Sequence, residues 1–332
     1  MKSKSLVIVA EIGSVHDGSF GNALKLIELA KECGAHIVKF QFHIPEEESL
    51  DSAPSPKFFT SESRFEYFRR TAFSASQWSE LYSATREIGL IFGCSVFSTK
   101  ALELLIDSGV DVLKVPSGEV TNHPLLSEVA STNLPIHLSS GMSNWREIDE
   151  AMGIFQNCKE LTLLQCTSKY PATSKDIGLN MIPLMRERYS VPVGLSDHSL
   201  GTEFSVAAVA LGVTVIEKHL TFSRKMYGSD AFNALEPVEF LDLSTKAQTV
   251  FEAINNPVEK DDLSQFQEMR AVFQKSIVIN TPVAEGQVLE LDMLKFLKPG
   301  TGLPPSDLAK VIGRKTKRSL PLNHILKLED LQ

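Results

Sequence analysis

Cysteine is scarce in this chain. Its 332 residues hold four, Cys33, Cys94, Cys158 and Cys166, far apart and with no CxxC pair. That excludes a disulfide framework and a cysteine-built zinc site, and it fits the reduced thiols of the cytoplasm, the expected location. No apolar run approaches the ~20 residues that cross a bilayer, so no membrane partner is expected. The run nearest the N-terminus, Leu6 to Ala10, is stopped by Glu11. It is too short for the apolar core of a secretory leader. Surplus positive charge is also missing. A net charge of −8 implies no broad phosphate-binding surface, which argues against a nucleic-acid partner. The first apolar run is not followed by a GxGxxG turn, which argues against the runner-up fold, a doubly wound open sheet.

What is present is a steady alternation. Short apolar or β-branched runs occupy 5–12, 35–42, 89–96, 110–115, 134–140, 161–167, 191–196 and 213–219. Between them lie stretches with apolar spacing of three and four, such as 22–34, 99–109 and 201–212. Several close on a glycine, Gly34, Gly89, Gly109 or Gly212, the expected helix stop. A last helix is expected over roughly 236–254. Eight strand–helix units predict an α/β fold, a (β/α)8 TIM barrel over residues 1–255. Two segments break the rhythm. Residues 43–75 read as a long loop, acidic first, then rich in serine and proline, then aromatic and basic; such a loop is usually functional. Residues 256–272 are polar and read as a linker, followed over 273–332 by a small, mostly β domain. About 60 residues is near the lower limit for an independent core, so this domain is expected to dock on something.

Barrels of this kind build their chemistry at the C-terminal ends of the strands. Every predicted strand here ends in polar groups: Glu11; Lys39 and Gln41; Ser95; Lys114, with Ser117 and Glu119 just beyond; Ser139 and Ser140; Cys166 and Thr167, with Tyr170 beyond; Ser196 and His198; Glu217 and His219. One strand-end lysine or histidine is more often a solvated charge. Eight such ends together point to a site. His198 and His219 end neighbouring strands and can converge on one divalent cation, with Glu11 and Glu217 near it. Two histidines with open positions is a catalytic metal pattern, and mixed N/O ligands suit Mn²⁺, Mg²⁺ or Co²⁺ as well as Zn²⁺. Lys39, Lys114, Ser95 and Ser117 supply cations and hydroxyls for an anion, most simply a phosphate. The competing structural reading pairs Lys39 and Lys114 with Glu11 and Glu119 as an ion network. Alternation turns Lys218 away from the face of Glu217 and His219, so it is left out of the site.

Read in order, AEIGSVHDGS (10–19), VKFQ (38–41), KVPSGE (114–119), LSSGM (138–142), LQCTSKYP (164–171), GLSDHSLG (194–201) and VIEKH (215–219) resemble one family. It is the sialic acid synthase family, phosphoenolpyruvate-dependent synthases of nonulosonic acids. The segment starting FQKSIVIN at residue 273 resembles that family's C-terminal antifreeze-like (SAF) domain. The resemblance implies condensation of phosphoenolpyruvate with an open-chain N-acetylmannosamine-type aminosugar, with release of phosphate by C–O cleavage. Lys39, Lys114, Ser95 and Ser117 would hold phosphoenolpyruvate, with Gln41, Glu119 and Ser196 beside them. His198 and His219 would bind the metal, usually Mn²⁺. Glu11, Glu217 and Asp230 would lie around the metal and the sugar as the catalytic acids, and Tyr170 would line the sugar site. The resemblance also implies a homodimer in which each SAF domain caps the partner's barrel. The departures fall on the acceptor side: Lys298 stands where the family's capping arginine precedes Pro-Gly, and the chain reads Ser168 and Ser229-Asp230-Ala231. A lysine cannot reproduce a bidentate guanidinium contact. The acceptor could therefore be N-acetylmannosamine, its 6-phosphate, or a diacetamido sugar leading to legionaminic- or pseudaminic-type acids. Competing readings are a Schiff-base aldolase using Lys39, Lys114 or Lys218, and a silent sugar-binding paralogue.

Overall fold

A computed structural model describes residues 5–55 and 62–332 of the chain. Eight parallel strands close into a barrel in sequence order: β1 (Val7–Gly13), β2 (Ile37–Phe42), β3 (Ile91–Val96), β4 (Val112–Val115), β5 (Ile136–Ser139), β6 (Leu161–Cys166), β7 (Val193–Asp197) and β8 (Val215–His219). Helices alternate with them, and the last, Pro237–Asn255, follows β8. The expected helix stops hold, because Gly34, Gly89, Gly109 and Gly212 all take positive φ just after a helix. Serine side chains start several helices. Ser19, Ser74 and Ser98 each accept a backbone N–H from the first turn of the helix that follows.

The outward strand positions carry Ile8, Ala10, Val38, Phe40, Phe92, Leu113, Leu138, Leu163 and Ile216, all buried under the helix layer. Inward positions stack in layers of four from alternate strands, as barrel closure requires. Counting along the pairing registers, Ile37, Val112, Thr162 and Val215 share the lowest level, and Val9, Gly93, His137 and Gly194 the next. Above them come Lys39, Lys114, Leu164 and Glu217, and then Glu11, Ser95, Ser139 and Ser196. A layer that Val, Ile and Leu usually fill thus holds three ionisable groups. The apolar floor beneath, including Val9, Ile37, Val112 and Val215, closes the barrel off below them.

The segment after β2 is less irregular than the sequence suggests. Its described part contains a short helix, Pro45–Glu48, and a second, Arg64–Thr71. The first is only one turn, and the second is capped by Ser63 and buries Tyr67 and Phe68, so tertiary packing decides it. Residues 56–61 of the expected loop lie outside the described residues.

The chain divides into two compact units, Met1–Asn256 and Pro257–Gln332. The stretch read as a linker folds at its end into the helix Gln267–Phe273. The second unit has its own core, with Ile277, Ile279, Val283, Leu289, Leu320 and Leu326 packed together. Its paired strands, β9 (Ser276–Ile279) and β10 (Leu294–Leu297), run antiparallel.

Candidate active site

The strand-end residues of β1, β2, β3, β4, β7 and β8 meet in one charged network. Lys39 Nζ lies 2.5 Å from Glu11, 3.8 Å from Glu217, and donates to Ser95 Oγ at 2.9 Å. Lys114 Nζ is 2.7 Å from Glu217 Oε1, and Ser196 donates to the same oxygen at 2.9 Å. The structural pairing read from the sequence is therefore half right: Lys39 takes Glu11, but Lys114 takes Glu217 across the barrel and not Glu119. Glu119 sits beyond β4, accepts from Asn122 at 2.8 Å, and has its carboxyl raised by partial burial.

Both carboxylates are fully enclosed, yet they titrate in opposite directions. Glu217, flanked by two lysines, is held below the usual carboxylate range because Lys114 and Lys39 outweigh its burial. Glu11 is pushed up to about 7, because burial, with help from the Glu217 charge, outweighs the pull of Lys39. One acid thus stays ionised while its neighbour can hold a proton near neutrality, a division of roles that suits acid–base chemistry.

Above this network the two imidazoles come together. The His198 and His219 rings are 5.8 Å apart, and Tyr170 stacks 4.2 Å from His198. His198 Nδ1 faces the Thr167 carbonyl at 2.8 Å. A carbonyl only accepts, so this nitrogen carries the proton and Nε2 keeps its lone pair. Burial alone would lower the His198 value, but Cys166 at 4.0 Å and the Thr167 carbonyl raise it. His219 is buried with Nδ1 lacking any hydrogen-bond partner among the described residues. An enclosed imidazole nitrogen left without a partner and a second imidazole with a free lone pair are what a divalent cation requires. The residues present therefore fit a metal through two histidines. Among the described residues no three His, Cys, Asp or Glu side chains are grouped to hold one. Ser117 donates to Cys166 at 3.6 Å, on the same rim.

Asp230 reaches the mouth from the loop after β8, where its Oδ2 accepts the Ser14 N–H at 2.7 Å. Tyr67 braces that contact, with its hydroxyl 3.3 Å from the Ser14 carbonyl and 3.4 Å from the Ser229 nitrogen. Gly13 makes room for the arrangement. Its φ is +55°, and a Cβ there would lie 2.4 Å from Asp230 Oδ2 and 3.2 Å from the His219 ring. Gly13→Ala is therefore expected to cut turnover at least about tenfold by displacing Asp230, with strain of only about 1–2 kcal/mol. Steady-state kinetics beside a melting curve check this; a variant with unchanged turnover contradicts it.

Three residues escaped the sequence reading. His43 is stacked between Phe68 and Phe97, 3.6 and 4.1 Å away, and bonds Glu48 at 2.8 Å and Gln41 at 3.0 Å. Gln41 in turn donates to Glu11 at 2.8 Å, so the segment after β2 is tied to the acid pair. Asn233, just after Asp230, is buried with neither amide atom bonded among the described residues. His137 sits below Lys114 with Nδ1 unpartnered among the described residues. The histidine beside the EEE run was the only visible hint of the first; the others depend on fold. Lys298 belongs to the second unit, where its Nζ lies 5.1 Å over the Phe273 ring.

The network also sets a pH dependence. His16, His137 and His219 are each pushed down to about 4, chiefly by burial. Between that value and the ordinary 6.5 the unfolded chain binds more protons than the native one, so stability rises with pH. Glu11, raised from 4.5 to about 7, and Glu119, also raised by burial, act in the opposite sense, against these three and His36, which burial lowers too. The urea midpoint of the metal-free protein should climb from pH 4 to 6.5; a flat or falling midpoint contradicts these assignments.

A barrel with a charged interior and an imidazole pair at its C-terminal mouth defines a catalytic barrel, and comparison with known proteins fixes which. The model of the NeuB family matches residues 26–259, and that of the SAF domain residues 274–332. The chain belongs to the NeuB family and is a synthase-class enzyme with a C-terminal SAF domain. The N,N'-diacetyllegionaminic acid synthase of Campylobacter jejuni is 32% identical over 94% of this chain and 96% of its own length. The human N-acetylneuraminate-9-phosphate synthase is 34% identical over 93% of this chain and 88% of its own. The crystal structure of N-acetylneuraminic acid synthetase from Leptospira borgpetersenii superposes with a TM-score of 0.71 at 29% identity, covering 80% of this chain and 90% of that one.

Proposed function

We propose that this enzyme condenses phosphoenolpyruvate with an open-chain N-acetylmannosamine-type aminosugar, giving a nonulosonic acid and inorganic phosphate. The observation that carries the reading is the cross-barrel network of Glu11, Lys39, Lys114 and Glu217 lying directly under His198, His219 and Tyr170. Lys39 and Lys114, with Ser95, Ser117 and Ser196, hold the phosphate and carboxylate of phosphoenolpyruvate, and Gln41 and Glu119 border them. Tyr170 and Asp230 face the acceptor. A divalent cation at His198 and His219, Mn²⁺ first and Mg²⁺ or Co²⁺ next, supplies polarisation of the sugar aldehyde when bound.

Carbon 3 of phosphoenolpyruvate attacks the aldehyde carbon, and positive charge develops at carbon 2. Glu217, kept ionised by its two lysines, stabilises that charge. Water adds at carbon 2, and Glu11 takes its proton, as a carboxyl near 7 can. Glu11 passes that proton to the former aldehyde oxygen, and Asp230, oriented by the Ser14 N–H, accepts a hydrogen bond from the new hydroxyl. The bond from carbon 2 to the phosphate oxygen then breaks, the carbon-2 hydroxyl becomes the ketone as its proton goes to the departing phosphate, and the phosphate leaves against Lys39 and Lys114. The rim holds the two substrates in line.

The enzyme works in the cytoplasm as a homodimer, each SAF domain capping the partner's barrel. Free cysteines, the absence among the described residues of any helix able to cross a membrane, and the exposed Phe266, Met269, Val272 and Phe273 support this. Phosphate release with Mn²⁺ and a panel of N-acetylmannosamine, its 6-phosphate and diacetamido-dideoxyhexoses tests the function. At least one acceptor should release one phosphate per phosphoenolpyruvate; none doing so, with or without metal, contradicts it. The Schiff-base alternative has one observation in its favour, the lowering of Lys114 by burial. Borohydride trapping with pyruvate would label a lysine only if that alternative holds.

A further inference from the structure

The outward face of the barrel strands is apolar except on β6, β7 and β8, where Gln165, Asp197 and Lys218 are buried among the helices. Asp197 and Lys218 are paired in strand register, both side chains are 0% exposed, and their charges lie 2.9 Å apart. All of the partners belong to the turn after β7 or to the helix Glu203–Ala210. Lys218 Nζ donates to the Ser199 carbonyl at 2.7 Å and to Ser199 Oγ at 3.0 Å. Asp197 accepts the Ser199 N–H at 2.8 Å and the Ser205 hydroxyl at 2.6 Å.

Stability is a poor reason for such a pair, since an apolar pair of similar volume is often as stable or more so. What the pair supplies is direction. Alternation puts Asp197 between Ser196 and His198, and Lys218 between Glu217 and His219. Ser199, held at its N–H, carbonyl and hydroxyl, fixes the chain on the far side of His198. Neither inward histidine can turn without moving a backbone that the outward pair grips. We propose that Asp197 and Lys218 are positioning residues that set the His198–His219 separation from behind the barrel wall. The proposal rests on the reading of His198 and His219 as the reactive imidazole pair.

The test is the double variant Asp197→Leu/Lys218→Met, with Lys218→Met alone as the reference. The single change leaves a buried carboxylate unpaired and should melt lowest. The double variant should melt higher than the single one, yet lose at least about tenfold in kcat with KM for phosphoenolpyruvate within about twofold, the signature of lost alignment rather than lost binding. Its affinity for Mn²⁺, titrated without substrate, should fall in step. A double variant with kcat and Mn²⁺ affinity within twofold of the wild type overturns the proposal. If the double variant does not fold, Ser205→Ala decides. Losing one hydrogen bond to Asp197 should lower kcat about threefold at constant KM, and an unchanged kcat overturns the proposal. A wild-type protein that turns over but takes up no Mn²⁺ removes the metal assignment alone, and the kcat comparison still judges the pair.

Discussion

His219→Ala is expected to lower phosphate release at least about a thousandfold, the equivalent of about 4 kcal/mol of lost transition-state stabilisation. The fold should survive. His219 Nδ1 has no hydrogen-bond partner among the described residues, and burial already penalises its charged form, so removing the ring breaks no described hydrogen bond at that nitrogen. The cost to stability is a cavity beside Tyr170 and His198, at the polar end of the barrel above its apolar floor, which is milder than one in the apolar core. Circular dichroism and kcat measured on the same preparation check this. If the variant unfolds while activity per folded molecule is unchanged, the assignment of His219 to the reaction is wrong.

Glu217→Ala is expected to be costly in a different currency, stability. It leaves Lys39 and Lys114 inside the barrel with Glu11 as the one carboxylate of the network still facing them. Removing one partner of a buried charge pair typically costs about 3–5 kcal/mol, because the other charge stays buried. In a barrel of this size that corresponds to a drop of roughly 10 °C in Tm. An anion of the right size should recover part of it: phosphoenolpyruvate at about a hundred times its Kd returns about 2.7 kcal/mol. Differential scanning calorimetry with and without phosphoenolpyruvate checks both halves. An unchanged Tm would mean that the lysines do not depend on Glu217, and a lowered Tm that phosphoenolpyruvate leaves untouched would separate them from the substrate.

The period-2 alternation of the strands and their glycine stops made the barrel and the inward-facing set readable from the sequence. Glu11, Lys39, Ser95, Lys114, Ser196 and Glu217 all face one interior because strand geometry dictates it. Who pairs with whom was not readable. Lys114 finds Glu217, 103 positions away, because barrel closure brings β4 and β8 to the same level. The nearer Glu119 lies past the strand end. His43 was hidden for a similar reason, since its role depends on two phenylalanines from separate segments, Phe68 and Phe97. Lys218 shows both sides: alternation turned it outward correctly, but nothing in VIEKH shows that Asp197 waits for it in register.

The central claim is tested most directly with phosphoenolpyruvate labelled with ¹⁸O in its bridging oxygen, incubated with the enzyme, Mn²⁺ and an accepting aminosugar. Cleavage of the C2–O bond predicts that the label leaves in the inorganic phosphate while the new acid takes its carbon-2 oxygen from water. Label retained in the sugar acid, or no phosphate with any acceptor, would contradict the account.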